Sequence, residues 1–218
     1  MSDLPLVEIA YQSLRGQLLD GAYLPGELFS ESELAAKLGM SRTPIRAAVS
    51  LLEKEGFVQT LYKRGILVKG IDVKDLYDIF DLLGALYSFA LDRIDSDVYE
   101  LDLKAMRQHY EQLVRASEGQ KYREYYENGL MFMRTMLAAV QNRFILETFD
   151  LHRDKLLFFV VTYRLTQGAN RPYTGRKLYE DIYHKLEQNQ YMEAKAIIQQ
   201  HNRNMREDLM RNGITRTS

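Results

Sequence analysis

The chain has 218 residues, with 29 Lys+Arg against 30 Asp+Glu for a formal net charge of -1, and no Cys. Its length suits one large domain or two small ones, and 46% hydrophobic with 27% charged residues excludes a disordered chain. The missing Cys excludes disulfides, Cys-zinc sites, iron–sulfur clusters and thiol nucleophiles, and it suits a reducing cytoplasm.

No basic-then-apolar leader pattern opens the chain and no run approaches the ~18 apolar residues of a membrane span, so a cytoplasmic protein without a membrane partner is expected. Ile9, Ala10, Leu14, Leu18 and Leu19 recur at helical spacing, predicting a first helix over about 5–20 that stops at Asp20-Gly21. Ser30 with Glu33 three residues on reads as a capping box, opening a second helix that ends at Gly39. Ser41 is placed to cap a third helix, with Pro44 in its first turn and Ile45, Val49, Leu51 and Leu52 as its buried stripe. Two short helices joined by Leu38-Gly39-Met40-Ser41 have helix-turn-helix spacing.

After Gly56 the period changes. Phe57–Thr60 and Ile66–Val68, separated by a basic, glycine-containing turn, predict a β-hairpin. Three helices followed by a hairpin make a winged helix-turn-helix domain over residues 1–70. From Asp72 the pattern is helical, with helices expected over about 73–93, 98–117, 120–140, 142–166, 172–188 and 191–212. The expected fold is therefore mostly α: an N-terminal winged helix-turn-helix plus a C-terminal all-α helical bundle over 71–218, with no repeat and no sustained heptad.

Ser41, Arg42, Thr43 and Arg46 lie in or beside the first turn of the third helix. Free N–H groups there favour phosphate, and Arg is shaped to grip guanine or phosphate through two hydrogen bonds. Lys63 and Arg64 at the hairpin tip reach toward a neighbouring groove or backbone. The alternative is a solvated surface with a few arginines. Residues 1–70 hold 8 Lys+Arg and 8 Asp+Glu, so net charge gives no help. Position does: Arg42, Arg46, Lys63, Arg64 and Lys69 fall on the recognition helix and wing, while Glu8, Glu27, Glu31, Glu33, Glu53 and Glu55 are expected away from those tips.

These residues carry a resemblance. Residues 5–70 resemble the winged-helix domain of the GntR family of bacterial transcription regulators, through Leu24-Pro25-Gly26-Glu27-Leu28-Phe29-Ser30-Glu31-Ser32-Glu33-Leu34-Ala35 and an intact Ser41-Arg42-Thr43-Pro44-Ile45-Arg46, followed by Leu51, Leu52, Glu55-Gly56 and Gly65. The resemblance implies Ser41, Arg42, Thr43 and Arg46 as operator contacts, with Lys63, Arg64 and Gly65 in the wing. Ser32 stands where the family usually has Arg, which implies that one contact is lost or weaker. The helical remainder is similar to the effector domain of the FadR subfamily, its six helices placing it nearer the metabolite-sensing branch than the acyl-CoA-binding one.

Many such domains hold a divalent metal through one Asp and three His. Aligning on Phe132 and Asn142 puts Gly129 at the Asp position and Met133 at the first His; aligning on His201 puts Tyr179 at the His 22 residues earlier. Phe80 replaces a common Arg. The resemblance thus implies a lost metal site and no cofactor. Two readings stay open: these residues plug the old cavity, or they form an apolar, metal-independent effector pocket bordered by Phe80, Met133, Tyr179, Tyr183 and His201. Arg134 and Arg164 are candidate anchors for an acidic effector. His109, His152 and His184 fall on separate helices without metal-ligand pairing, and Arg203, Arg206, Arg211 and Arg216 lie among acids at a solvated helix end.

The expected function is a repressor that binds a palindromic double-stranded DNA operator as a homodimer and responds to a small-molecule effector. Dimerisation is expected because one recognition helix reads only a half-site. A constitutive dimeric regulator without effector is the alternative. An enzyme on the helical domain is disfavoured, because no nucleophile–base pair, phosphate loop or intact metal set is legible.

Overall fold

A computed structural model describes residues 5–96, 99–167 and 175–211. The fold is mostly α with a small sheet in the N-terminal part. It divides into two compact units: residues 1–71 with 158–169, and residues 72–157 with 170–218.

In the first unit, α1 (Leu6–Leu19) buries Ala10, Leu14, Leu18 and Leu19 and packs on α3 (Arg42–Lys54), which buries Ile45, Ala48, Val49 and Leu52. Both stripes repeat at three or four residues, as one buried face of a helix requires. Between them lies α2 (Glu31–Leu38). Ser30 Oγ accepts from the Glu33 N–H while the Glu33 carboxylate accepts from the Ser30 N–H, so the expected capping box is present. Gly39 closes α2 in the left-handed region at φ 61°. Ser41 is the N-cap of α3 by position, yet its side chain makes no capping hydrogen bond.

The hairpin β2 (Val58–Leu61) and β3 (Gly65–Val68) pairs antiparallel, and β1 (Leu28–Phe29) adds on the other edge of β3, giving the order β1-β3-β2. Sequence periodicity expected only two strands, because a two-residue strand is too short to show alternation. Gly65 has φ 106°, and a Cβ there would lie 2.7 Å from the Phe29 carbonyl oxygen; both facts require glycine at this turn. Residues 158–169 complete this unit. Phe158 meets Phe57 edge-on at 5.7 Å, Leu165 and Val161 lie over Gly21, and Thr162 and Arg164 are buried.

The second unit contains α4 (Val73–Ser96), α5 (Leu103–Glu118), α6 (Tyr122–Ala138), the first part of α7 (Arg143–Gln167), α8 (Gly175–Glu187) and α9 (Tyr191–Arg211). Six helices were expected over nearly these spans. α5 begins later than its apolar pattern suggests, because Asp102 caps it by accepting from the Ala105 N–H. The expected start of α8 at 172 and Arg216 lie outside the described residues. Within the unit α5 packs on α6 and α8, α9 on α4 and α8, and α6 on α4 and α8. The core is apolar, with Leu76, Leu91, Met106, Leu113, Phe132, Met136, Phe149, Ile182 and Ala194 all buried.

Candidate nucleic-acid interface and effector cavity

The first turn of α3 presents Ser41, Arg42, Thr43 and Arg46 to solvent, while Pro44 and Ile45 between them are buried. That alternation follows from one helix turn: the two core residues fix the turn, and their neighbours must point out. The Arg42 and Arg46 side chains are 60% and 64% exposed, and both reach Glu31 at the start of α2. Arg46 donates through Nε and Nη2 to the two carboxylate oxygens at 2.9 Å each, and Arg42 Nη2 donates to Glu31 Oε2 at 3.2 Å. Hydrogen bonds from Arg46 outweigh the opposing effect of burial and, with the hydrogen bond from Arg42, hold the Glu31 carboxyl below its ordinary value.

Glu31 therefore lies against the exposed arginine pair of α3, where sequence reasoning expected no acid. Its place in a capping-box stretch hid it: Ser30 and Glu33 explain the local pattern, and only tertiary packing brings Glu31 to α3. On the wing, Tyr62, Lys63 and Arg64 are exposed, Lys63 sits at φ 58°, and its Nζ lies 5.1 Å from the Tyr62 ring centre. Tyr62, 86% exposed, is an unforeseen stacking surface at this tip.

In the second unit, a cavity of about 100 Å³ lies among α4, α6, α7, α8 and α9. Phe80, Met133, Tyr179 and His201 line it, as expected. Tyr87 and Asn202 join them; neither had a sequence signal, because each reads as an ordinary position on a helical stripe. Tyr183 and Arg134 are not among the lining residues. Tyr183 is buried on α8 with the Arg107 guanidinium 5.6 Å from its ring centre, and Arg134 donates through Nε and Nη2 to Asp150 at 2.7 Å each. Arg164 belongs to the first unit. None of the expected acid-binding cations faces the cavity.

Tyr179 occupies the space that a larger residue at 129 would need. A Cβ on Gly129 would fall 2.5 Å from the Tyr179 hydroxyl oxygen, and the ring packs edge-on against Phe132 at 5.3 Å. The divalent metal that many domains of this type hold does not fit these residues. Gly129 brings no donor, Met133 brings a thioether, and burial holds the Tyr179 hydroxyl well above its ordinary value, hence protonated. His201 is left alone of a set that needs three or four ligands. No group of three His, Cys, Asp or Glu comes together among the described residues.

Burial also pushes the His201 imidazole below its ordinary value, with Asp208 opposing weakly. The unfolded chain thus takes up this proton more readily than the folded one, so the stability it confers is complete above about pH 6.5 and is lost as pH falls below that. His152 shifts in the same direction, so a variant is needed to separate them. Melting temperatures measured from pH 7.5 to 5 should fall less for His201→Gln than for the parent. Parallel slopes would show that His201 is not held neutral by burial.

Comparison with known proteins joins the two regions. Residues 6–68 match the family described as bacterial regulatory proteins, gntR family, and residues 78–204 match the FCD domain. An HTH-type transcriptional regulator, YdhC, of Bacillus subtilis (strain 168) is 26% identical over 180 residues, 80% of each chain. The gluconate operon transcriptional repressor of the same organism is 26% identical over 139 residues, 64% of this chain and 56% of the repressor. In fold, a GntR transcriptional regulator from Rhodococcus sp. RHA1 superposes with TM-score 0.80 at 16% identity over 96% of this chain and 99% of its own. E. coli McbR/YncC superposes with TM-score 0.73 at 19% identity over 96% of this chain and 99% of its own. With a gntR-family helix-turn-helix region ahead of an FCD domain that spans more than half its length, the chain belongs to the GntR family of DNA-binding transcription regulators.

Proposed function

We propose that the protein is a dimeric repressor that reads a palindromic operator with Ser41, Arg42, Thr43 and Arg46, braces it with Lys63, Arg64 and Gly65 of the wing, and releases it when a small molecule binds the FCD domain. The exposed arginine pair at the start of α3 carries this reading. A single recognition helix spans a few base pairs, and two on a two-fold axis read half-sites one turn apart. The gluconate operon repressor among its relatives supports the negative sign. Effector binding acts by shifting the population toward a dimer geometry that no longer fits successive major grooves. No described helix is long and apolar enough to cross a membrane, which agrees with a place in the cytoplasm.

Fluorescence anisotropy with the protein's own upstream DNA, against a scrambled duplex of equal length, tests the DNA half. Specific binding with two protomers per duplex is expected, and equal affinity for both duplexes would sink it. The wing makes a separate forecast. The double variant Lys63→Ala/Arg64→Ala should weaken binding to both duplexes by a similar factor, and should reduce the slope of log affinity against log salt by about 1 for each phosphate contact removed. A loss confined to the operator duplex would show the wing reading bases.

A second reading, a constitutive regulator, is favoured by one observation: Tyr179 already fills the space beside Gly129. Thermal melts across organic acids, sugar acids and acyl-CoA esters, extended to the uncharged compounds considered below, separate the two readings, since a ligand bound only by the native state must raise the melting temperature.

A further inference from the structure

The cavity in the FCD domain differs from an acid-binding site in the character of its wall. Its apolar surface comes from Phe80, Leu83, Leu130, Met133, Ile182 and Ile198, among others, and no Lys, Arg, Asp or Glu lines it. Four polar groups also lie on the wall: the Tyr87 and Tyr179 hydroxyls, the His201 imidazole and the Asn202 amide. No side-chain hydrogen bond to another described residue occupies these groups, and none of them is sealed in the core, so each opens onto the cavity. Groups left unpaired around an apolar cavity are arranged as a binding site is, with few polar anchors on a greasy wall.

Size and charge then limit the occupant. An engineered apolar cavity of about 150 Å³ takes up benzene, so about 100 Å³ sets one small ring or a short branched chain as the upper limit. A carboxylate entering this space would lose its water and find no Lys or Arg on the wall to replace it. A polyol or sugar acid would need more partners than the four groups supply.

We infer that the effector of this protein is an uncharged, mainly apolar molecule of about one ring, bound without metal and anchored through a single hydroxyl or amide to His201 and Asn202. This rests on the reading of the FCD domain as effector-binding. It departs from the acidic effector that Arg134 and Arg164 were expected to anchor.

Benzyl alcohol, benzamide and benzoate share a ring and differ in charge, so they serve as probes on the full-length protein at pH 7.5, each with and without nickel. Calorimetric titration should show saturable binding of the alcohol or the amide, with benzoate at least tenfold weaker in either condition. Met205→Trp, which fills the cavity at a half-buried position, should abolish binding, and His201→Ala should weaken the neutral probes about tenfold while leaving benzoate unchanged. Far-ultraviolet circular dichroism checks that each variant is folded. Benzoate binding as tightly as the neutral probes, tight benzoate binding only with nickel, or no neutral probe binding up to about 10 mM would each overturn the inference.

Operator anisotropy with the same probes keeps the two claims apart. Neutral probes that bind and leave operator affinity unchanged support the ligand class and defeat the effector role. Operator release by benzoate, or by benzoate with nickel, without any effect of the neutral probes defeats the ligand class and leaves the effector role standing.

Discussion

Arg46→Ala should lower affinity for the specific operator by roughly thirtyfold or more while leaving the melting temperature almost unchanged. A bidentate arginine on a base edge is worth about 1–3 kcal/mol of discrimination, and a dimer loses two of them. The fold has little stake in this side chain, because it is 64% exposed and its ion pair with Glu31 is a surface pair of small value. Arg42→Ala should act in the same direction.

Glu31→Gln makes the informative contrast. The carboxylate fixes both guanidiniums and cancels one of their two charges, so removing its charge frees two mobile cations at the tip. Scrambled DNA should then bind more tightly and with a steeper salt dependence, and the ratio of operator to scrambled affinity should fall. The pair of measurements decides what the acid does: a loss of affinity for both duplexes would mean that Glu31 only holds up the start of α2. If Arg42→Ala and Arg46→Ala both leave operator binding untouched, α3 is not the recognition helix.

The near-zero net charge of the N-terminal half takes on a meaning through this geometry. Eight bases and eight acids over residues 1–70 leave no diffuse attraction to a phosphate backbone, so affinity must come from a few placed side chains. One of those acids sits against the recognition arginines themselves. A tip neutralised in this way depends on the fit of each side chain more than on diffuse charge.

Local rules reached some elements and not others. The capping box at Ser30, the left-handed Gly39 and most of the buried stripe of α3 are properties of short stretches, so they could be read along the chain; Leu51, expected in that stripe, is exposed, because the buried face runs through Ile45, Ala48, Val49 and Leu52. β1 could not, because two residues carry no period and its partner lies nearly forty residues away. The grouping of residues 158–169 with the first unit was likewise invisible: α7 is one uninterrupted helix, and nothing in its own apolar pattern marks where its neighbours change. In the cavity, Met133, Tyr179 and His201 were found through the family's spacing, whereas Asn202 and Tyr87 appear only once α4, α8 and α9 are packed. Arg134 and Arg164 do not line the cavity, because a cation near a pocket in sequence says nothing of the acid or the unit that claims it in space.

Replacing Gly129 should be costly, and the cost should be recoverable from across the cavity. Alanine in a helix interior ordinarily gains about 1 kcal/mol over glycine. Here its Cβ would lie 2.5 Å from the Tyr179 hydroxyl oxygen and 2.7 Å from Cζ, on a ring that packs edge-on against Phe132. Overpacking of this kind costs about 1–3 kcal/mol, so the sign reverses and Gly129→Ala should melt several degrees below the parent. Tyr179→His shortens the side chain that collides, and the two changes together should cost less than their sum.

The same geometry leads to a gain of function. Met133, Tyr179 and His201 share one cavity, and Gly129 abuts Tyr179. The triple variant Gly129→Asp, Met133→His, Tyr179→His therefore assembles one carboxylate and three imidazoles around that space, which is the donor set the family resemblance implies. Zinc or nickel should raise its melting temperature, by the equivalent of about 2.7 kcal/mol at a hundredfold excess over the dissociation constant, and should leave the parent unchanged. Gly129→Asp alone should be strongly destabilised, since it buries a carboxylate against a protonated tyrosine with no metal or cation to meet it. A triple variant that folds and ignores both metals would show that these four positions do not converge closely enough to share an ion, and the account of how this cavity arose would fall with it.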